Sequence, residues 1–137
     1  MLQDMIAKHA KRKDINCAGS IVAAVIEEYD LKVDPTVLDA TSTMGGGMNI
    51  EAFCGTITGC IMALGLMFNK DRPYDSGNMK RITQDFWEEY RKQEESVICR
   101  DLKKLKREDE SCMTTTVPRI ALVLQTVIER ELARKNA

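Results

Sequence analysis

Apolar residues recur at three- and four-residue spacing along almost the whole chain, and no convincing period-two run marks out a strand. The pattern predicts an all-α fold, a single-domain helical bundle of about five to six helices over residues 1–137. Leu2, Met5, Ile6 and His9 make a short first stripe. Ala18, Ile21, Val22, Val25, Ile26 and Tyr29 belong to a second helix opening near Cys17, with Asp14 or Asn16 in place to cap it. Asp34 followed by Pro35 reads as a cap with proline at the first helical position, and predicts a third, shorter helix running toward Thr43. Gly45, Gly46 and Gly47 stop it. Asn49 is then placed to cap a fourth helix from Ile50 to about Phe68, the most apolar in the chain, with Glu51 well placed for its dipole. A fifth runs from Ser76 to about Glu95 and buries Met79, Ile82, Phe86 and Tyr90, while Glu88, Glu89, Arg91 and Lys92 face water. Val117, Ile120, Ala121, Leu124, Val127, Ile128 and Leu132 define the last helix, with Pro118 tolerated in its first turn.

A chain of 137 residues buries most of its apolar surface without disulfide staples. Its formal charge of -1 argues against a dedicated nucleic-acid surface and against polybasic attachment to lipid. The longest apolar stretch, Cys60 to Phe68, is less than half a membrane span, and no charged-then-apolar leader opens the chain. The expected setting is therefore the cytoplasm, without membrane insertion. Thiols there stay reduced unless they are catalytic, redox-sensing or bound to metal.

Five cysteines stand out against that background: Cys17, Cys54, Cys60, Cys99 and Cys112. An odd number at wide spacing, with no CxxC pair, does not fit a secreted disulfide framework. Reactive or ligating sulfur is the sharper reading, and buried thiols acting as small hydrophobes are the plainer one. Cys17 falls at the start of the second expected helix, Cys54 in the first turns of the fourth, Cys99 at the head of the segment 99–102, and Cys112 shortly before the last helix. At helix beginnings, unpaired N–H groups and the dipole favour a thiolate over a thiol. Cys60, six residues beyond Cys54, is rotated by about 240° onto another helix face. It lies in the apolar run Gly59 to Leu64, where an inert buried thiol is expected, and it counts only as an additional sulfur.

Gly55 and Gly59 lie four apart on one face and let a second backbone or a bulky cofactor come close, at a cost of roughly 1 kcal/mol each relative to alanine. Close helix packing is the equal alternative. Gly45, Gly46 and Gly47, flanked by Met44 and Met48, can present successive N–H groups to an anion or to cluster sulfurs. The stretch has neither the Lys-Ser/Thr of a P-loop nor the strand-turn-helix context of a dinucleotide fold, so a helix connection is its default reading. His9, on an apolar stripe, reads as a satisfied half-buried imidazole rather than a ligand, and the methionines as core filler. The carboxylate pairs Glu27-Glu28, Glu88-Glu89 and Glu94-Glu95 fall on expected wet faces and suggest no acid–base catalysis. Lys103 to Glu110 is basic and then acidic, a solvated turn rather than a binding patch.

Taken in order, Asn16-Cys17-Ala18, Gly45-Gly46-Gly47-Met48, Cys54-Gly55-Thr56-Ile57-Thr58-Gly59, Ile61-Met62-Ala63-Leu64-Gly65-Leu66, Cys99-Arg100-Asp101-Leu102 and Cys112 form a pattern. It resembles the C_GCAxxG_C_C family of redox-active proteins, from about Asp14 to the final helix. The resemblance implies a small helical bacterial or archaeal protein whose redox or metal centre is carried by four cysteines. By position these are Cys17, Cys54, Cys99 and Cys112, with Cys60 as an extra. The chain departs from the family pattern at Thr56, where the CGAxxG element has alanine, and at Asn49, where a glycine often follows. After Cys112, the proline that commonly comes sooner waits until Pro118.

Three functions remain open at this point. The first is a four-cysteine metal centre, foremost an iron-sulfur cluster for electron transfer, because thiolates from separate helices can meet in a bundle and soft sulfur selects iron-sulfur or zinc. Zinc suits less well, since its structural sites usually include a closely spaced ligand pair. The second is metal-free thiol-disulfide exchange or redox sensing, with Cys54 attacking and Cys17, Cys99 or Cys112 resolving. The third is a non-redox helical interaction module with core cysteines and no cofactor. No reaction is specified, and whether the protein is an enzyme stays open. A redox protein is the expected partner, and a homodimer through the last amphipathic helix is compatible with the pattern.

Overall fold

Asn16 starts the element against which three other helices pack. Its side-chain oxygen accepts from the Gly19 N–H at 2.9 Å, capping α2 (Cys17–Glu28), while its amide donates to the carbonyls of Thr41 and Ser42 at 2.9 and 3.2 Å. Asp14, the other expected cap, pairs with Arg12 instead. The computed structural model describes residues 1–69 and 77–135. Over these, α2 is joined by α1 (Leu2–Ala10), a 3₁₀ segment (Pro35–Thr41), α3 (Gly55–Phe68), α4 (Gly77–Gln93), α5 (Cys99–Lys103) and α6 (Thr116–Lys135). The fold is all-α, as the periodicity predicts. Ser76, the expected start of the fifth helix, lies outside the described residues.

Every residue of α2 from Ala18 to Val25 is buried, because small and β-branched side chains on all faces let α1, α3, α6 and the 3₁₀ segment pack around it. The 3₁₀ segment opens as expected, with Asp34 accepting from the Thr36 N–H at 2.9 Å and Pro35 at the first position. On α6, the buried stripe Val117, Ile120, Ala121, Leu124, Val127 and Ile128 meets Ile82, Phe86 and Tyr90 of α4 in one core. Two largely buried carboxylates serve that packing rather than facing water: Glu131 takes two hydrogen bonds from Arg81, and Glu94 pairs with Arg119. Glu94 thus corrects the expectation of a wet face. Among the described residues no helix is long and apolar enough to cross a membrane.

The fourth expected helix begins five residues later than the sequence pattern suggests, at Gly55 rather than Ile50. Gly46, Gly47, Met48 and Asn49 turn left-handed, with φ of 61°, 62°, 61° and 63°, and Glu51 follows at 55°. Asn49 therefore lies inside a left-handed turn and caps nothing. Residues 52–54 then pair with 97–99: the Cys54 N–H donates to the Val97 carbonyl at 2.9 Å, and the Cys99 N–H to the Ala52 carbonyl at 2.6 Å. Helix propensity over a few apolar residues is a weak preference, and this non-local pairing overrides it. Aromatic packing fixes the pairing to α4. The Phe53 ring meets Trp87 edge-on at 5.9 Å, and the Tyr90 hydroxyl donates to the Ser96 carbonyl at 2.6 Å.

Candidate functional site

The pairing of 52–54 with 97–99 sets Cys54 opposite Val97 and Cys99 opposite Ala52, so the two cysteines are diagonal neighbours across it, each at the head of a helix. Cys54 is the N-cap of α3, Cys99 the first residue of α5, and Cys17 the first residue of α2. Cys112 sits in the turn before α6, its carbonyl accepting from the Val117 N–H at 2.9 Å. All four line one cavity of about 90 Å³, together with Gly46, Gly55, Thr56, Leu102, Lys103 and Thr116. About 10–15 Å³ suffices to seat a water, so the space exceeds what a single ion fills.

Glycines make this convergence sterically feasible. A Cβ on Gly55 would stand 2.7 Å from the Cys17 sulfur and 2.6 Å from the Met44 carbonyl oxygen, and one on Gly59 would stand 2.7 Å from the Ala18 carbonyl oxygen. The first turns of α2 and α3 therefore touch through bare backbone, and the Cys17 sulfur takes the space a side chain would fill. Gly45 abuts Asn16, with its Cβ position 2.6 Å from that side chain. Gly47 abuts Cys99, its Cβ position 2.8 Å from that residue's Cβ. The left-handed turn is thus pressed between the cap of α2 and the head of α5. Left-handed backbone costs about 1–2 kcal/mol for a residue with a side chain, and Met48, Asn49 and Glu51 all adopt it. Arg100 and Lys103 of α5 hold the end of the turn through Glu51, at 3.4 and 3.3 Å.

Electrostatics reverse one expectation. A helix start favours thiolate, yet burial pushes the Cys54 thiol above its ordinary range, against the opposing pull of the Ile57 N–H and of the Thr56 side chain and N–H. Burial likewise raises Cys99, although the nearby Lys103 ammonium favours its thiolate. Negative charge on Cys54, Cys112 or Cys17 raises Cys99 further. Left empty, the cavity keeps Cys54 and Cys99 protonated at neutral pH. Lys103 is held charged chiefly by its hydrogen bond to Glu51. Among the described residues no group of three or more His, Cys, Asp or Glu side chains is arranged to hold a metal ion.

A family model described as "Putative redox-active protein (C_GCAxxG_C_C)" matches residues 15–126. The chain belongs to that family. The matched stretch of this C_GCAxxG_C_C protein takes in every residue that lines the cavity, from Cys17 to Thr116. No curated protein and no solved structure matches the chain.

The remaining sequence candidates fall elsewhere. Cys60 is fully buried in the core outside the cavity lining, and burial first, then the Cys54 charge, pushes its thiol well above the ordinary range. His9 is 7% exposed and satisfied, with Nε2 at 2.7 Å from Glu27 and Nδ1 at 3.2 Å from Arg12. Four cavity residues, Thr56, Leu102, Lys103 and Thr116, are not among the site residues that the sequence suggests. Lys103 follows Cys99 by four positions within α5, the spacing that stacks side chains on one helical face, and Thr116 follows Cys112 by four across the turn that leads into α6. Thr56 stands two residues after Cys54. Reading i+4 from each cysteine recovers Lys103 and Thr116.

Proposed function

We propose that Cys17, Cys54, Cys99 and Cys112 together hold a thiolate-bound metal centre, an iron-sulfur cluster, through which the protein passes electrons. One observation carries this reading: four cysteines from four separate segments of the chain border a single cavity of about 90 Å³. An all-sulfur donor set selects soft metals and iron-sulfur clusters. A single tetrahedral ion needs every sulfur within about 2.3 Å of one point, whereas a cluster spreads its cysteine ligands over several irons. When bound, such a cluster supplies a one-electron couple.

The chain's own contribution is to gather and charge-balance the sulfurs. The first turns of α2, α3 and α6 border the cavity, so three positive helix ends, each worth about half a charge, face the thiolates. The Lys103 ammonium adds to them. The raised Cys54 and Cys99 thiols weigh against free attacking thiolates at neutral pH, whereas a coordinating metal deprotonates its thiols outright. Met48 and Ile50 project from the left-handed turn with 49% and 70% exposure, and give a redox partner an apolar place to approach beside the cavity.

Metal-free thiol-disulfide exchange is the second reading, favoured by the Cys17 sulfur lying against Gly55, one residue from Cys54. Anaerobic purification from iron-fed cells separates the two. Broad visible absorption with matching iron and acid-labile sulfide supports the cluster, and its loss in Cys54→Ser and Cys99→Ser assigns the ligands. A colourless, metal-free protein that loses two free thiols on mild oxidation supports exchange. A colourless protein that loses none is a helical module with core cysteines.

A further inference from the structure

Most threonine hydroxyls in this chain find a partner at once. Those of Thr41, Thr58, Thr83 and Thr126 donate to backbone carbonyls three or four residues earlier, at 2.6 to 3.0 Å. Thr116 differs. The residue is 2% exposed, its hydroxyl oxygen is buried, and that oxygen has no hydrogen-bond partner. The carbonyl four residues before it, that of Cys112, accepts the Val117 N–H at 2.9 Å and takes no bond from this hydroxyl. An unpaired buried hydroxyl opposes folding, and native proteins rarely keep one without a reason.

The position of Thr116 supplies the reason. It lines the four-cysteine cavity at the first residue of α6. A hydroxyl offers one donor and two acceptor sites. Thiolate and sulfide sulfurs accept and cannot donate, so a sulfur-filled cavity matches the donor. We propose that Thr116 is a binding residue of the cysteine centre, whose hydroxyl donates a hydrogen bond to one of its sulfurs and thereby favours the reduced, more negative state. The proposal rests on the cluster reading above. Hydrogen bonds to the sulfurs are among the factors that set the potential of such a centre. Thr116 thus raises the reduction potential, alongside the Lys103 charge at the rim.

The consequence is an opposite effect of one substitution on the two states of the protein. Thr116→Val keeps the shape and removes the hydroxyl. In the metal-free reduced protein this deletes an unpaired polar group and raises the melting temperature. In the protein reconstituted with ferrous iron and sulfide it deletes a hydrogen bond and moves the midpoint potential to more negative values. Thr116→Ser keeps the hydroxyl and restores the wild-type potential. The experiment is a thermal melt of each metal-free protein and a redox titration of each reconstituted one, followed by visible absorption. A metal-free Thr116→Val that melts lower than wild type, or fails to fold, makes the hydroxyl structural and overturns the proposal. So does a reconstituted Thr116→Val with the wild-type potential, while the cluster reading then stands. A wild-type protein that takes up neither iron nor sulfide overturns both.

Discussion

The N–H of Cys99 donates to the carbonyl of Ala52 at 2.6 Å. With its companion from Cys54 to Val97 at 2.9 Å, this bond makes a short antiparallel pairing in an otherwise helical protein. Two cysteines far apart in sequence are thereby fixed at the mouths of two helices. The Ala52 N–H in turn donates to the Gly47 carbonyl at 3.1 Å, so the left-handed turn, the pairing and α5 form one mechanical unit. Cys17 enters through the glycine contacts of α2 with α3, and Cys112 through the approach to α6.

Gly47→Ala tests that unit. Its Cβ would stand 2.6 Å from the Ala52 nitrogen and 2.8 Å from the Cys99 Cβ, at a φ of 62°. Backbone atoms cannot yield as a side-chain tip can, so strain and overlap together cost about 2 kcal/mol or more. Urea unfolding should show the loss, and Cys99 should alkylate faster as α5 shifts. A wild-type midpoint would mean that the turn does not brace Cys99.

Two substitutions within α3 separate helix propensity from close approach. Nothing lies within 4 Å of a Cβ on Gly65, so Gly65→Ala should gain about 1 kcal/mol from propensity alone. A Cβ on Gly59 meets the Ala18 carbonyl oxygen at 2.7 Å and its Cα at 3.0 Å, so Gly59→Ala should lose about 1–3 kcal/mol despite the same gain. Equal stabilisation by both, measured by denaturant unfolding, would remove the need for α2 and α3 to touch.

How far the sequence foretells the structure depends on the range of the interactions involved. The stripe from Val117 to Leu132 is local, repeats at helical spacing and is found as α6. So is the cap at Asp34 and Pro35, although the segment winds as a 3₁₀ helix. The start of α3 is different. Asn49 and Ile50 carry every local sign of a helix start, and their conformation is decided by Glu51 reaching Arg100 and by Ala52 pairing with Cys99, partners from a distant segment. The site follows the same division. Placing cysteines near helix starts needs only local pattern, but the elevation of Cys54 and Cys99 comes from burial that only the assembled bundle creates.

Cys60 offers an internal control for the cavity cysteines. It is fully buried outside the cavity lining, so Cys60→Ala should cost about 1 kcal/mol in stability, as for a small core hydrophobe, and leave iron uptake intact. Cys99→Ser should retain most of the fold and lose the iron. Metal analysis of the two variants after identical reconstitution decides it. Comparable iron loss in Cys60→Ala would place a ligand in the core rather than in the cavity.

The metal-free reduced protein should weaken in mild alkali. Cys54, Cys60 and Cys99 are all raised by burial above the ordinary thiol range, Cys60 furthest. In the unfolded chain these thiols ionise near pH ~8.5. Above that value the unfolded state sheds protons that the folded state retains, so stability falls as pH rises. Below it both states are protonated, and the contribution is fully present. Tyr29 and Tyr90 are also raised, but from the tyrosine range of about 10, and the Met1 ammonium is raised by Asp4 and Glu28 within the same window as the thiols, so the comparison with a cysteine variant isolates the thiol contribution. Urea midpoints at about pH 7 and about pH 9.5 should differ in wild type. Cys60→Ala should flatten that difference, because it removes the most elevated group while the cavity keeps its four sulfurs. A midpoint independent of pH would mean that the thiols ionise as freely in the fold as in water. The cavity would then be open enough for Cys54 and Cys99 to attack as thiolates, and exchange rather than metal binding would gain the stronger claim.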